Sequence, residues 1–135
     1  MARGSNGGWP LWVIAAAALA GALGVGLGAW SAHAAGGMLG SRAAELVRTA
    51  LPWHMWHVLA LIAVALWRLF DGAGPPRVLA AAALLFLAGL LLFCGSLYAT
   101  AFGLRFVPQG LAPIGGLALI GGWLAVALAA ALRLR

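Results

Sequence analysis

Four long apolar runs, each bounded by charged residues, proline or small polar clusters, dominate the pattern of hydrophobic and polar positions along the chain. A hydrocarbon core about 30 Å thick needs roughly 20 apolar residues on an α-helix, because each residue adds about 1.5 Å. The runs therefore predict four transmembrane helices, of which the second is short unless Pro52 is its first helical residue. We expect the spans at residues 11–30, 53–67, 78–101 and 111–132, between a polar tail over 1–10 and a basic tail over 133–135.

The segment between the first two spans, residues 41–51, has a different pattern. Its apolar residues recur at the spacing of one helix face, and its charged residues lie on another. Glu45 is three positions from both Arg42 and Arg48, within ion-pair reach on a helix. The pattern predicts a short amphipathic helix in the plane of the membrane interface, with a solvated loop helix as the alternative. The predicted fold is thus an all-α integral membrane four-helix bundle with one interfacial helix between spans 1 and 2.

A secretory signal peptide is an alternative interpretation of the N-terminus. Arg3, the apolar run and the small-residue triplet Ala32-His33-Ala34 fit the general layout of such a peptide. Its apolar core is usually about 7–15 residues long, whereas residues 11–30 form a run of twenty. We therefore expect the run to be kept as the first membrane span.

The composition is that of a chain dissolved in lipid. Hydrophobic residues make up 65% of the chain and charged residues 7%, whereas a soluble domain carries about 25% charged residues. The net charge of +6 comes from arginines that interrupt the apolar runs, so they are interpreted as membrane-flanking anchors and not as a nucleic-acid surface. Five of them fall on the side of the two termini and three on the other, which predicts that both termini are cytoplasmic. The five are Arg3, Arg68, Arg77, Arg133 and Arg135, and the three are Arg42, Arg48 and Arg105.

Four strings, taken in order, carry a family resemblance. They are residues 28–33 (GAWSAH), 53–61 (WHMWHVLAL), 92–98 (LFCGSLY) and 112–116 (APIGG), the last followed by Gly121-Gly122-Trp123. Together they resemble the small bacterial membrane proteins of domain-of-unknown-function family 423, over residues 11–132. The resemblance implies four helices, an inner-membrane location and no assigned biochemical activity. The chain departs from the family pattern at Trp30, Ser31, Pro52 and His54, so His54 inherits no role from the family.

Polar side chains are predicted to gather in the half of the membrane opposite the termini. His33 ends the first span and His57 begins the second. Ser96 and Tyr98 lie towards the end of the third. Polar groups inside lipid are costly, so these four residues form a candidate site with His57 at its centre. The alternative, which we favour, is that they only hydrogen-bond across helices and hold the bundle together.

Metal binding and catalysis are both weakly supported by the sequence. His54 and His57 lie three positions apart and His33 could approach them, yet no carboxylate joins them, so we predict no metal or haem site. Ser96 or Cys94 beside His57 would supply two parts of a nucleophilic triad and lack the third. We therefore predict no catalytic residue, no cofactor and no enzymatic activity.

Glycines form two candidate packing faces. Gly24 and Gly28 lie one turn apart on the first helix, and Gly115 and Gly116 lie near the start of the fourth. Small residues let helix backbones approach closely. We expect this packing within the bundle, with packing between chains of a homo-oligomer as the alternative.

Three function classes remain open at this level. The leading hypothesis is a structural or accessory protein of the inner membrane, either alone in the lipid bilayer or within a membrane-protein complex. A small transporter or channel subunit is the alternative, and it would work as an oligomer because one chain of four helices encloses little lumen. A metal- or haem-binding membrane protein is the third class.

Overall fold

A computed structural model describes residues 8–34, 40–71, 75–104, 107–108 and 110–134. These residues contain helices and no strand, and four helical spans are long and apolar enough to cross a membrane, which confirms the predicted all-α fold. The third span consists of three consecutive helical elements, because a π-helical turn interrupts it. The elements are α1 (Trp9–Ala34), α2 (Ser41–Asp71), α3 (Pro76–Gly89), the π-helical segment (Leu90–Cys94), α4 (Gly95–Ala101) and α5 (Leu111–Arg133).

Helix α2 corrects the prediction of a separate interfacial helix. Residues 41–51 form its first turns, and Pro52 lies inside the helix instead of beginning it. The reason is burial: Val47 and Ala50 are 1% and 0% exposed, so the apolar face of this segment packs on protein rather than lying on lipid headgroups. A proline in a helix removes one backbone hydrogen bond, a loss that packing against neighbouring helices can offset in a membrane. The second span is therefore long, not short.

The two central spans are α2 and the third span. Helix α1 packs mainly against α2, and α5 packs mainly against α3 and the π-helical segment. The largest fully buried side chains belong to the central spans, namely Val47, Leu61, Leu79 and Phe86. The outer helices expose most of their apolar side chains, as expected where lipid and not water is the solvent.

The glycines of α1 face α2. A methyl group added at Gly28 would lie 3.1 Å from Leu51, and one added at Gly21 would lie 3.3 Å from Val58. At Gly24 the added group would lie 2.6 Å from the sulfur of Met55. This small-residue face thus packs against α2 of the same chain. The order of its contacts shows that α1 runs antiparallel to α2.

The glycines of α5 make a closer approach to the third span. A methyl group at Gly115 would collide with the backbone of Leu92 and Phe93 in the π-helical segment, and one at Gly122 would lie 2.6 Å from the ring of Phe86. Gly116 is different, because its nearest neighbour is the ring of Phe93 at 4.0 Å. Of the predicted pair, Gly115 makes the backbone contact.

The third span ends in a Schellman motif, in which Gly103 has a φ of 76°. The amide of Leu104 donates to the carbonyl of Ala99, and the amide of Gly103 donates to that of Thr100. These bonds satisfy carbonyls that the helix end would otherwise leave unpaired. A glycine is required there because side chains disfavour this backbone conformation.

Candidate functional site

The two histidines of α2 lie deep in the membrane-spanning part of the helix. Arg48 and Arg68 are 20 positions apart, a distance of about 30 Å on an α-helix, which matches the thickness of the hydrocarbon core. His57 lies 9 positions from Arg48 and 11 from Arg68. We therefore place His57 near the middle of the bilayer and His54 one turn away. Because α2 begins at Ser41, His54 and His57 lie 13 and 16 positions after its first residue and not near the start of the helix.

His54 joins α2 to two other helices. Its Nδ1 lies 3.2 Å from the hydroxyl of Tyr98 on α4, and both side chains are buried. The ring also packs against α1, where a methyl group added at Gly24 would lie 3.6 Å from its Nε2.

His57 joins α2 to α5. Its Nδ1 donates to the carbonyl of Trp53 at 2.7 Å, and the indole N–H of Trp123 donates to its Nε2 at 3.2 Å. The carbonyl fixes the hydrogen on Nδ1, so Nε2 can only accept. The ring stacks on Trp53 with an interplanar angle of 17° and meets Phe86 at a centroid distance of 5.6 Å. One imidazole is thus both hydrogen-bonded and surrounded by aromatic rings.

The structure does not bring the four predicted site residues together. His33 is exposed, and its Nδ1 lies 2.8 Å from the carbonyl of Ala29 in its own helix. Ser96 donates to the carbonyl of Phe93, also in its own span, at 2.9 Å. Tyr98 pairs with His54 and not with His57. Helix rotation decides these partners, and hydropathy alone carries no information on it.

Neither His54 nor Trp123 is among the site residues that the sequence predicts. His54 departs from the family pattern, yet its side chain is 5% exposed and must be hydrogen-bonded. Trp123 lies in an apolar run, where an indole N–H needs a partner. Both residues could have been flagged by asking where each buried donor and acceptor finds its match.

Two cavities flank these histidines. One has a volume of about 210 Å³ and lies between α2, the π-helical segment and α5. The other, of about 140 Å³, lies between α1, α2 and the third span, beside His54, Cys94 and Tyr98. The first is lined by Trp53, His57, Phe93, Gly116, Leu119, Ile120 and Trp123.

The chemistry of the site is that of a hydrogen-bonded helix junction. Within the described ranges, no three His, Cys, Asp or Glu side chains are grouped so that they could hold a metal ion. Over the same residues, every buried side-chain nitrogen and oxygen has a hydrogen-bond partner. The thiol of Cys94 also has an acceptor, the carbonyl of Ala50, at 3.6 Å. The site therefore offers paired donors and acceptors, of which the Trp123–His57 pair borders a cavity.

Comparison with known proteins places the chain in a family. The model of a protein family of unknown function, DUF423, matches residues 27–116. The chain belongs to the DUF423 family. The DUF423 match runs from α1 into α5, so it includes both histidines of α2 and Tyr98, and it ends before Trp123.

Curated relatives match the chain over most of both lengths. A UPF0382 membrane protein of Haemophilus influenzae is 38% identical over 110 residues, covering 82% of this chain and 86% of the relative. YwdK, a UPF0382 membrane protein of Bacillus subtilis, is 34% identical, covering 80% and 86%. The UPF0382 inner membrane protein YgdD of Escherichia coli is 32% identical, covering 88% of each. No solved structure matches.

These relatives confirm that the chain is a membrane protein and that no biochemical function has been assigned to its family. The four apolar helices agree with that description. This DUF423 chain therefore lies in the lipid bilayer. Its activity has to be argued from its own residues.

Proposed function

We propose that the protein is a structural or accessory component of the bacterial inner membrane, not an enzyme. The observation that supports this most is that every buried polar side-chain atom of the described residues is already paired. A group that holds helices together needs only its partner.

The pattern of pairing also supports a structural role. His54 is hydrogen-bonded to Tyr98 on α4 and packs on α1, while His57 is hydrogen-bonded to Trp123 on α5. Each interhelical hydrogen bond in a membrane is worth about 0.6–2 kcal/mol. With little hydrophobic force between helices in lipid, such bonds and the glycine contacts supply much of the specificity of packing.

Copurification from native membranes in a mild detergent tests the accessory role. We expect a membrane-protein partner to copurify in a fixed ratio, and we expect proteoliposomes of the chain alone to show no flux of protons, common ions or metabolites above empty vesicles. Flux by the purified chain would instead establish a transporter. Recovery of the chain without any partner, together with flux, would overturn the proposal.

Membrane orientation is part of the proposal. We propose that both termini are cytoplasmic, because the side of the termini carries the larger number of arginines. Arg68 near the end of α2, Arg77 at the start of α3 and Arg133 at the end of α5 support this interpretation, since all three lie at helix ends on that side. Cysteines introduced into the loops and tested with a membrane-impermeant thiol reagent on intact cells give the test. A Cys94→Ala background removes the native thiol, and labelling of a C-terminal cysteine from outside would reverse the orientation.

A further inference from the structure

We propose that the 210 Å³ cavity bounded by Trp53, His57, Phe93 and Trp123 binds a lipid-soluble hydroxyaromatic molecule, that is, a hydroquinone or phenol with an apolar tail. This inference goes beyond the structural role and does not depend on it. It rests on the position of the cavity, on its aromatic lining and on one hydrogen-bonded pair.

The position of the cavity determines how a ligand would reach it. Trp123 and Ile120 line it and are 51% and 57% exposed, so it reaches the lipid-facing surface of the bundle. It lies at the level of His57, near the middle of the bilayer. A ligand must therefore arrive from the lipid phase and be apolar overall. An apolar cavity of roughly 150 Å³ holds a benzene molecule, so this one accommodates a substituted aromatic ring.

The lining of the cavity favours a flat ring over an acyl chain. Trp53 meets Phe93 edge to face, with centroids 6.0 Å apart and an interplanar angle of 74°. Trp123 meets His57 in a similar geometry at 6.1 Å. Aromatic rings stack or pack edge to face with another ring and gain from it beyond the area they bury. A lipid tail gains only the burial.

The hydrogen-bonded pair selects the polar group of the ligand. The Trp123 indole can only donate and Nε2 of His57 can only accept, and the two atoms are 3.2 Å apart, at the long end for such a bond. When the half-exposed Trp123 ring moves outward by roughly 1.5 Å, a hydroxyl fits between the two nitrogens, accepts from Trp123 and donates to His57, so both groups remain paired. A carbonyl or ether oxygen accepts from Trp123 but leaves Nε2 without a donor.

This asymmetry predicts the preference of the site. An unpaired buried acceptor is costly, so a hydroxyl compound should bind about tenfold more tightly than the matching ether or quinone. The oxygen-free hydrocarbon leaves the Trp123–His57 bond intact, so it should bind no more weakly than the ether. The site therefore discriminates by hydrogen-bond donation and not by ring size.

Three matched probes test this without any redox step: 4-decylphenol, 4-decylanisole and decylbenzene. Binding to the full chain in lipid nanodiscs is measured by equilibrium dialysis against empty nanodiscs. We expect saturable binding of 4-decylphenol at one site per chain, about tenfold tighter than that of the other two. Equal binding of the three probes, or binding of 4-decylphenol that does not saturate, would overturn the proposal.

Variants locate the site. Trp123→Phe keeps the ring and removes the N–H, which frees Nε2 of His57 to accept from the ligand hydroxyl, so we expect this variant to bind 4-decylphenol several-fold more tightly than the parent does, with decylbenzene binding unchanged. Trp12→Phe on α1, where the indole is 78% exposed, is the matched control and should bind as the parent does. Equal affinities of these two variants would contradict the site.

A second variant covers the case in which Trp123→Phe is unstable. Gly116→Leu places a side chain into the cavity, since the nearest atom to its missing Cβ is the Phe93 ring at 4.0 Å. We expect loss of binding of all three probes by a chain that still melts cooperatively, and retained binding would contradict the assignment. Decylhydroquinone under reducing conditions and decylbenzoquinone then distinguish the natural source. Tighter binding of the hydroquinone supports a reduced lipid quinone, and a preference for the quinone would overturn the hydrogen-bond argument.

Discussion

Gly115 of α5 lies directly against the backbone of Phe93, within the π-helical segment of the third span. No side chain separates the two helices at this point. π-Helical turns are rare and often occur at functional sites. Here the turn lies where α5 approaches most closely, and Phe93 from the same turn lines the cavity beside His57.

Gly115→Ala should therefore destabilise the bundle. The methyl group would meet backbone atoms, which cannot move aside as the end of a flexible side chain can, so we expect a loss of about 1–3 kcal/mol. Gly116→Ala is the control, because its added methyl group has ordinary van der Waals space. Unfolding of the purified proteins in mixed detergent micelles gives the free energies, and equal values for the two variants would contradict the contact.

Removing the His57 side chain should weaken the junction between α2 and α5. His57→Ala leaves the Trp123 N–H unpaired and removes a ring packed on Trp53 and Phe86, so we expect a loss of about 2–3 kcal/mol and a lower melting temperature. His33→Ala is the matched control. Its ring is exposed and is hydrogen-bonded to the carbonyl of Ala29 in its own helix, so the change should stay within about 0.5 kcal/mol. An unchanged melting profile for His57→Ala would argue against the structural role of this residue.

Tyr98→Phe should reveal the bond that His54 makes with Tyr98. The change keeps the ring and removes the hydroxyl, which leaves Nδ1 of His54 unpaired, so we expect a loss of about 1 kcal/mol. A double-mutant cycle with His54→Leu isolates the pairwise contribution from the packing of each ring. Independent, additive effects of the two changes would show that the pair is not coupled.

The continuity of α2 through Pro52 predicts which positions of its first turns react with thiol reagents. In a Cys94→Ala background, Val47→Cys should react several-fold more slowly than Thr49→Cys, because Val47 is 1% exposed and Thr49 lies on the outer face. The rates are measured in detergent, because lipid headgroups then cannot shield the cysteines of an interfacial helix from the reagent. Similar rates at both positions would favour the separate interfacial helix over the continuous α2.

The amino-acid sequence by itself determined that the chain forms four helices and that lipid is their solvent. Runs of about 20 apolar residues bounded by arginine and proline are a local property, and lipid requires every backbone group in such a run to be satisfied within the helix. The glycine faces could also be foreseen, since Gly24 and Gly28 lie one turn apart wherever the helix is placed. These features do not depend on what each helix packs against.

Only the tertiary structure decided which polar groups meet. Whether Tyr98 reaches His54 or His57 depends on the rotation and register of two helices, and close contacts such as Gly115 on Phe93 set that register. Residues 41–51 likewise joined α2, because burial of Val47 and Ala50 against the bundle outweighed the hydrogen bond lost at Pro52. The partners of a buried donor or acceptor are a property of the assembled bundle, because neither hydropathy nor spacing specifies the direction in which a helix face points.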